Sequence, residues 1–282
     1  MKVSIFYDHL QEAVEQSSLS MDEVVQKARN AGITGLEINL TCLIEQEKQI
    51  SVLLEKYDMN ISCIYEFYDW GNHPDLAYGR KHVDMAKKMG VRNILVVPGF
   101  LSNEEVNSLR TAGKEKDSLY QFMSHNKKVQ QMKQNLQELV TYASSQNINI
   151  TLEDFDHEAA PFATKWQLLW FMEHVEGLRF TMDIGNFAYS DEDAYAGFEL
   201  LKPWMVHIHC KDRGEESLAE SFVYKKGMAT CPTGGGYLPV ERIVREALAE
   251  GYQGYFAIEH FGAENQIDCM QKSAEFLRRL ED

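Results

Sequence analysis

Val206-His207-Ile208-His209-Cys210-Lys211-Asp212 alternates apolar and polar side chains, which is the period of a β-strand. Alternation sets Ile208 and Cys210 on one face and His207 and His209 on the other. Three further segments end in the same way: Thr151-Leu152-Glu153, Met182-Asp183 and Ile258-Glu259. In each, an apolar residue precedes a metal-ligand type that must point the opposite way. The four polar groups are separated by 30, 26 and 50 residues (183−153, 209−183, 259−209). A (β/α)8 barrel allots roughly 31 residues to each strand-helix unit. The first two gaps are therefore single units, and the third is one unit with an insertion over about residues 210–238.

The rest of the chain repeats that unit. A helical pattern ends at Gly or Asn, and an apolar strand follows within a few residues: Gly32 before 35–39, Gly90 before 92–97, Asn147 before 148–154, Gly251 before 254–259. Gly or Asn there supplies the left-handed residue that stops a helix. Strands near 3–7, 60–66, 178–184 and 204–209 complete a set of eight. Helical patterns cover 75–89, 126–146, 239–250 and 265–281. Alternation of strand and helix implies parallel pairing, so the expected fold is α/β, a single-domain (β/α)8 TIM barrel over residues 1–282. The segments near 99–125 and 210–238 read as long loops.

Composition limits the function. The chain has 282 residues, 44 % of them hydrophobic, and a formal net charge of −15. An acidic surface repels phosphate backbones, so no nucleic acid partner is expected. Five scattered cysteines without a Cys-x-x-Cys pair read as reduced thiols. With no signal-peptide pattern at the N-terminus and no membrane-length apolar run, a cytoplasmic location and no membrane partner are expected. The sequence is equally compatible with a homo-oligomer.

Glu153, Asp183, His209 and Glu259 together offer three carboxylates and one imidazole at the barrel mouth. A lone glutamate at a strand end is usually a solvated cap or an ion-pair partner. Four ligand types in order on strands five to eight point instead to one divalent metal ion. Mn²⁺ or Mg²⁺ suits hard oxygen ligands best; Zn²⁺ or Co²⁺ is also compatible. An open cation polarises a carbonyl, and a ligating glutamate can move a proton.

These segments, with Ile184-Gly185-Asn186 and Cys231-Pro232-Thr233-Gly234-Gly235-Gly236, resemble the xylose-isomerase-like sugar isomerase/epimerase superfamily over nearly the whole chain. Ketose 3-epimerases, hydroxypyruvate isomerases and inosose dehydratases belong to it. The resemblance implies that the quartet binds one metal. It also implies that Glu153 and Glu259 exchange protons with a small sugar, sugar phosphate or keto acid through a metal-bound enediolate. Three positions depart from the epimerases. Asn186 stands where many carry a histidine. Ala159, with Glu158 beside it, stands where a substrate-binding glutamate is usual. Arg213 comes earlier than their substrate-binding arginine. These departures leave an isomerase, an epimerase of another polyol, or an inosose-dehydratase-like lyase. The apurinic endonuclease branch needs further metal-binding histidines, which are missing at Val96-Val97-Pro98-Gly99 and at Asn186. Outside enzymes, the alternative is a non-catalytic metal or sugar binder.

Other residues are candidate substrate contacts. Glu37 lies at the second strand's end, and a salt bridge is its rival role. Tyr65 belongs to an aromatic cluster, Tyr65-Glu66-Phe67-Tyr68-Asp69-Trp70, suited either to a sugar wall or to a core. His207 reads as an inner-layer group below His209, with the role of metal ligand in place of His209 as the alternative. Gly234-Gly235-Gly236, helped by Lys211, Lys225 and Lys226, offers amides to a phosphate or forms a flexible lid.

Overall fold

The computed structural model describes residues 1–216 and 227–281 in full, and the backbone of Leu218–Glu220 and Val223–Lys225. Eight parallel strands close on themselves: β1 (Lys2–Phe6), β2 (Gly35–Asn39), β3 (Asn60–Phe67), β4 (Asn93–Val97), β5 (Asn149–Glu153), β6 (Arg179–Asp183), β7 (Met205–Gly214) and β8 (Tyr255–Glu259). Each pairs with its sequence neighbour, and β8 pairs with β1 to complete the barrel. The expected fold is therefore present over essentially the whole chain.

Helices connect the strands outside the barrel. They are α1 (Tyr7–Gln16), α2 (Met21–Asn30), α3 (Leu40–Tyr57), α4 (Ala77–Met89), α5 (Asn103–Ala112), α6 (Lys116–His125), α7 (Lys127–Ser144), α8 (Lys165–His174), α9 (Ala194–Leu201), α10 (Val240–Ala249) and α11 (Gln266–Arg279). Local chemistry sets their ends. Ser20 with Glu23, Ser102 with Glu105 and Thr164 with Gln167 form capping boxes that satisfy the first free amides of α2, α5 and α8. Gly32, Gly90, Asn147 and Gly251, the expected stop residues, all have positive φ.

The core has two parts. Leu152, Met182, Ile208 and Ile258, the apolar neighbours of the quartet, are fully buried between sheet and helices. Burying each such side chain contributes about 1.5–3 kcal/mol. Cys210 joins this outer core, as alternation requires. Inside the barrel, Phe6, Cys63, Tyr65, Leu95 and Ala257 form a small separate cluster.

Two expected loops are structured. Residues 99–125 contain α5 and α6, which bury Val106, Leu109, Leu119 and Met123. The apolar spacing there is short, and the polar residues around it hide the helical period. The segment after residue 209 begins as a continuation of β7 to Gly214. Ala229–Cys231 then returns antiparallel to it, setting Thr230 opposite Arg213. Leu218–Glu220 and Val223–Lys225 pair antiparallel with each other between them.

Candidate functional site

Strand register brings the quartet together at the end of the barrel. Asp183 on β6 lies opposite His209 on β7, and Glu259 on β8 lies opposite Lys211, one pleat above His209. His209 Nδ1 is 3.1 Å from Glu153 Oε2, 3.1 Å from Glu259 Oε2 and 3.8 Å from Asp183 Oδ2. All four side chains are buried. Despite these short distances, neither His209 Nδ1 nor Asp183 Oδ2 makes a hydrogen bond. Buried polar atoms are rarely left so, because an unpaired one costs about 1–3 kcal/mol. Ligand atoms of Glu153, Asp183 and His209 lie within 4.8 Å of one another. The donor set of carboxylates and one imidazole fits a divalent cation, and the unpartnered atoms converge where it would sit.

The other oxygen of Asp183 is used by the backbone. Oδ1 accepts from the amides of Gly185 (2.6 Å) and Asn186 (2.9 Å), which fixes the carboxylate as β6 turns away. Asp154 Oδ1 accepts from the Asp183 amide at 3.1 Å.

Glu37 does not lie at the mouth. It sits two residues before the end of β2, one pleat deeper, with 0 % exposure. Its Oε2 is 2.8 Å from His207 Nε2 and its Oε1 is 3.2 Å from His209 Nε2. The expected substrate contact is thus replaced by a buried carboxylate between two imidazoles. Burial opposes its ionisation, but His209 and His207 hold its carboxyl down at about 2. A carboxylate at Nε2 makes that nitrogen a donor and turns Nδ1 to the carboxylate cluster. Burial opposes a charge on His209, but Glu37, Asp183, Glu153 and Glu259 raise its pKa well above the usual imidazole range, and a divalent cation would take the place of the Nδ1 proton. Cys63 joins Glu37 and His207 in this lower layer.

Lys211 is the group that charge patterning alone undervalued. Beta alternation continues past His209, so Lys211 and Arg213 point inward with it. Lys211 Nζ donates to Asn186 Oδ1 (2.7 Å) and lies 2.7 Å from Glu259 Oε1 and 3.2 Å from Asp156 Oδ2. Gly185 makes room for it, since a Cβ there would come within 2.5 Å of Lys211 Cγ. Burial works against the Lys211 charge, yet Asp156, Glu259 and Asp183 raise its pKa above the usual range.

The two glutamates differ in proton affinity. Burial, reinforced by Glu259 and Asp183, pushes Glu153 up to about 8 against the pull of His209. Burial also penalises Glu259, but Lys211 and His209 overcome it and hold its carboxyl well below the usual range. A divalent cation among these groups would draw Glu153 back toward the carboxylate form.

The remaining expected contacts are placed as follows. Asn186 donates to the Asp154 carbonyl (2.9 Å) while its oxygen accepts from Lys211. Arg213 binds Asp156 Oδ2 at 2.6 Å and the carbonyls of Gly185 (3.3 Å) and Met228 (3.4 Å), so its guanidinium braces the wall. Tyr65 donates to Asp8 Oδ2 at 2.8 Å and packs beside Phe6. Glu158 is exposed and paired with Arg110 of α5, apart from the quartet. The glycine run does not offer amides to a phosphate. Gly234 and Gly236 donate to Asp212 Oδ2 (3.0 Å each), and Leu238 donates to Asp212 Oδ1 (3.2 Å). Lys226 and the side chain of Lys225 lie outside the described residues. Asp154, Asp156 and Asp212 escaped notice in the sequence because no period distinguishes them from surface acids.

The model of a family described as xylose isomerase-like TIM barrel matches residues 25–280. Among solved structures, the probable 3-DHS dehydratase involved in petrobactin synthesis from Bacillus anthracis is 18 % identical, with a TM-score of 0.71 over 99 % of both chains. The 3-keto-D-glucoside 4-epimerase from E. coli is 15 % identical, with a TM-score of 0.67 over 99 % of both. A xylose isomerase-like TIM barrel protein from Mycobacterium smegmatis, solved in complex with magnesium, is 17 % identical, with a TM-score of 0.65 over 92 % of this chain and 87 % of that one. No match was found to a curated protein sequence. At these identities the structural likeness speaks for the fold. No helix among the described residues is long and apolar enough to cross a membrane.

Proposed function

The chain belongs to the xylose isomerase-like TIM-barrel family, and from that premise we propose a divalent-metal-dependent isomerase or epimerase. Its substrate would be a small sugar, polyol derivative or keto acid, and its reaction proton transfer next to a carbonyl. One observation carries the reading: His209 Nδ1 and Asp183 Oδ2 are buried without hydrogen bonds and converge with Glu153 and Glu259. Those four residues would hold the ion, with Mn²⁺ or Mg²⁺ favoured by the oxygen-rich set. When bound, such an ion supplies Lewis acidity that stabilises negative charge on substrate oxygens.

The chain's own groups supply the proton chemistry. Glu259 is kept ionised by Lys211, which also fixes its Oε1, so it is suited to take a proton from carbon. Glu153, the other glutamate beside His209, is placed to return one. Asn186 and Asp156 hold Lys211 in place, so the base keeps its partner through turnover.

Exchange of substrate α-protons in D₂O, followed by NMR across a panel of ketoses with and without Mn²⁺, tests the reaction. Exchange should require the metal and fall about 10²–10⁴-fold in Glu259→Gln, the usual contribution of a general base. Exchange that persists in Glu259→Gln defeats the assignment.

A second reading is a dehydratase, since the chain also shares its fold with the probable 3-DHS dehydratase from Bacillus anthracis. Such a reaction needs a carboxyl to protonate the hydroxyl leaving from the carbon β to the carbonyl. Loss of water from substrate, detected by mass, would select this lyase chemistry over isomerisation.

A further inference from the structure

The barrel mouth carries a continuous aromatic arc that the proton chemistry leaves unused. Phe261, two residues past β8, packs on Phe6 at the end of β1 with centroids 5.3 Å apart. Phe6 packs on Tyr65 (5.5 Å), Tyr65 on Phe67 at the end of β3 (6.3 Å), and Phe67 on Phe155 just past β5 (5.9 Å). Phe6 also sets its ring 5.1 Å from the His209 imidazole, nearly perpendicular to it, so the arc begins at the quartet. Its outer members are open to solvent, Phe67 at 48 % and Phe261 at 40 %. Large exposed apolar side chains gathered at the rim of a polar site mark a surface made for a ligand.

The opposite wall is polar and already neutralised. Lys211 and Arg213 share Asp156, and Lys211 also faces Glu259. Gly234 and Gly236 spend their amides on Asp212. Among the described residues, these cations and amides are therefore occupied, while Glu153, Asp183, Glu259 and Asp156 add negative charge. Among the described residues, a phosphate brought here would meet carboxylates without an unpaired cationic side chain.

We propose that the site takes an uncharged pyranoside or cyclic polyol bearing a planar apolar substituent. Its hydroxyls would face the quartet wall, its C–H face would lie on Phe6 and Tyr65, and its substituent would lie between Phe67 and Phe261. Sugar rings present an apolar C–H face, and aromatic rings meet one another offset or edge-on at the centroid spacings seen along this arc. The proposal rests on the quartet being the reacting centre, since that fixes which end of the ligand is polar.

Binding measurements on the full chain with Mn²⁺ test it without requiring turnover. The probes are methyl β-D-glucopyranoside, phenyl β-D-glucopyranoside and glucose 6-phosphate, measured by calorimetry or saturation-transfer NMR. The phenyl glycoside should bind about tenfold tighter than the methyl glycoside, the value of one or two aromatic contacts. Glucose 6-phosphate should bind most weakly. In Phe67→Ala/Phe261→Ala the phenyl preference should vanish while Mn²⁺ affinity stays unchanged. Equal binding of the two glycosides, tighter binding of the phosphate, or no detectable binding of either glycoside overturns the proposal. So does a phenyl preference that survives the double variant. Loss of α-proton exchange with the phenyl preference intact would instead sink the isomerase reading alone.

Discussion

The two sides of the barrel mouth are built on opposite principles. From β5 to β8 the wall is a lattice of charge: Asp156 between Lys211 and Arg213, Lys211 against Glu259, and His209 among three carboxylates. From β8 through β1 to β3 it is a chain of aromatic rings with exposed ends. The charged side is buried and over-determined, so each group there depends on its neighbours. The aromatic side is open at its ends, where Phe67 and Phe261 can be removed singly. This contrast predicts steep, coupled losses on one side and shallow, separable ones on the other.

The sharpest break should come from His209→Ala or Asp183→Ala. Elemental analysis of either should show bound metal falling to background, because each removes an unpartnered donor. Undiminished occupancy would refute the metal centre. Next in size is Lys211→Met, which strands Glu259 without its cation and leaves Asp156 to Arg213 alone. Removing one partner of a buried ion pair costs about 3–5 kcal/mol, readable as a lower urea midpoint. An unchanged midpoint would show that water takes over the role of Lys211.

Glu37→Gln tests the layer beneath. It should weaken metal binding about 10–100-fold, the usual effect of losing a carboxylate behind a histidine ligand. Competition with a chelator measures this, and wild-type affinity would mean that Glu37 does not orient His209. The smallest effect belongs to the aromatic side. Phe67→Ala alone should change stability by about 0.5 kcal/mol or less, as surface substitutions do, and leave metal affinity as it was. A larger loss in thermal unfolding would make Phe67 part of the core and erase the contrast.

The sequence made the barrel legible because strand and helix periods are local. Ile208 beside His209, or Ile258 beside Glu259, announces an inner and an outer face without further information. The stop residues Gly32, Gly90, Asn147 and Gly251 were equally plain, since few other residues accept their backbone. Depth was less visible. In the sequence Glu37 reads as a strand-end carboxylate like Glu153, but stagger between strands sets it a pleat lower, and stagger is a property of the closed sheet. Partners across the barrel were hidden for the same reason. Nothing near Asp212 in sequence reveals that it binds Gly234 and Gly236, so the glycine run read as a phosphate cradle or a lid. The helices α5 and α6 were missed because their buried faces are narrow, with only Val106, Leu109, Leu119 and Met123 inside.

Asp212 has a consequence for how the molecule breathes. Its two oxygens tie the amides of Arg213, Gly234, Gly236 and Leu238 to the end of β7. The tail of the insertion is thereby joined to the barrel's own opening transition. In hydrogen-exchange experiments those glycine amides should be protected far beyond what a glycine triplet ordinarily shows, and Asp212→Asn should release them together as one cooperative unit.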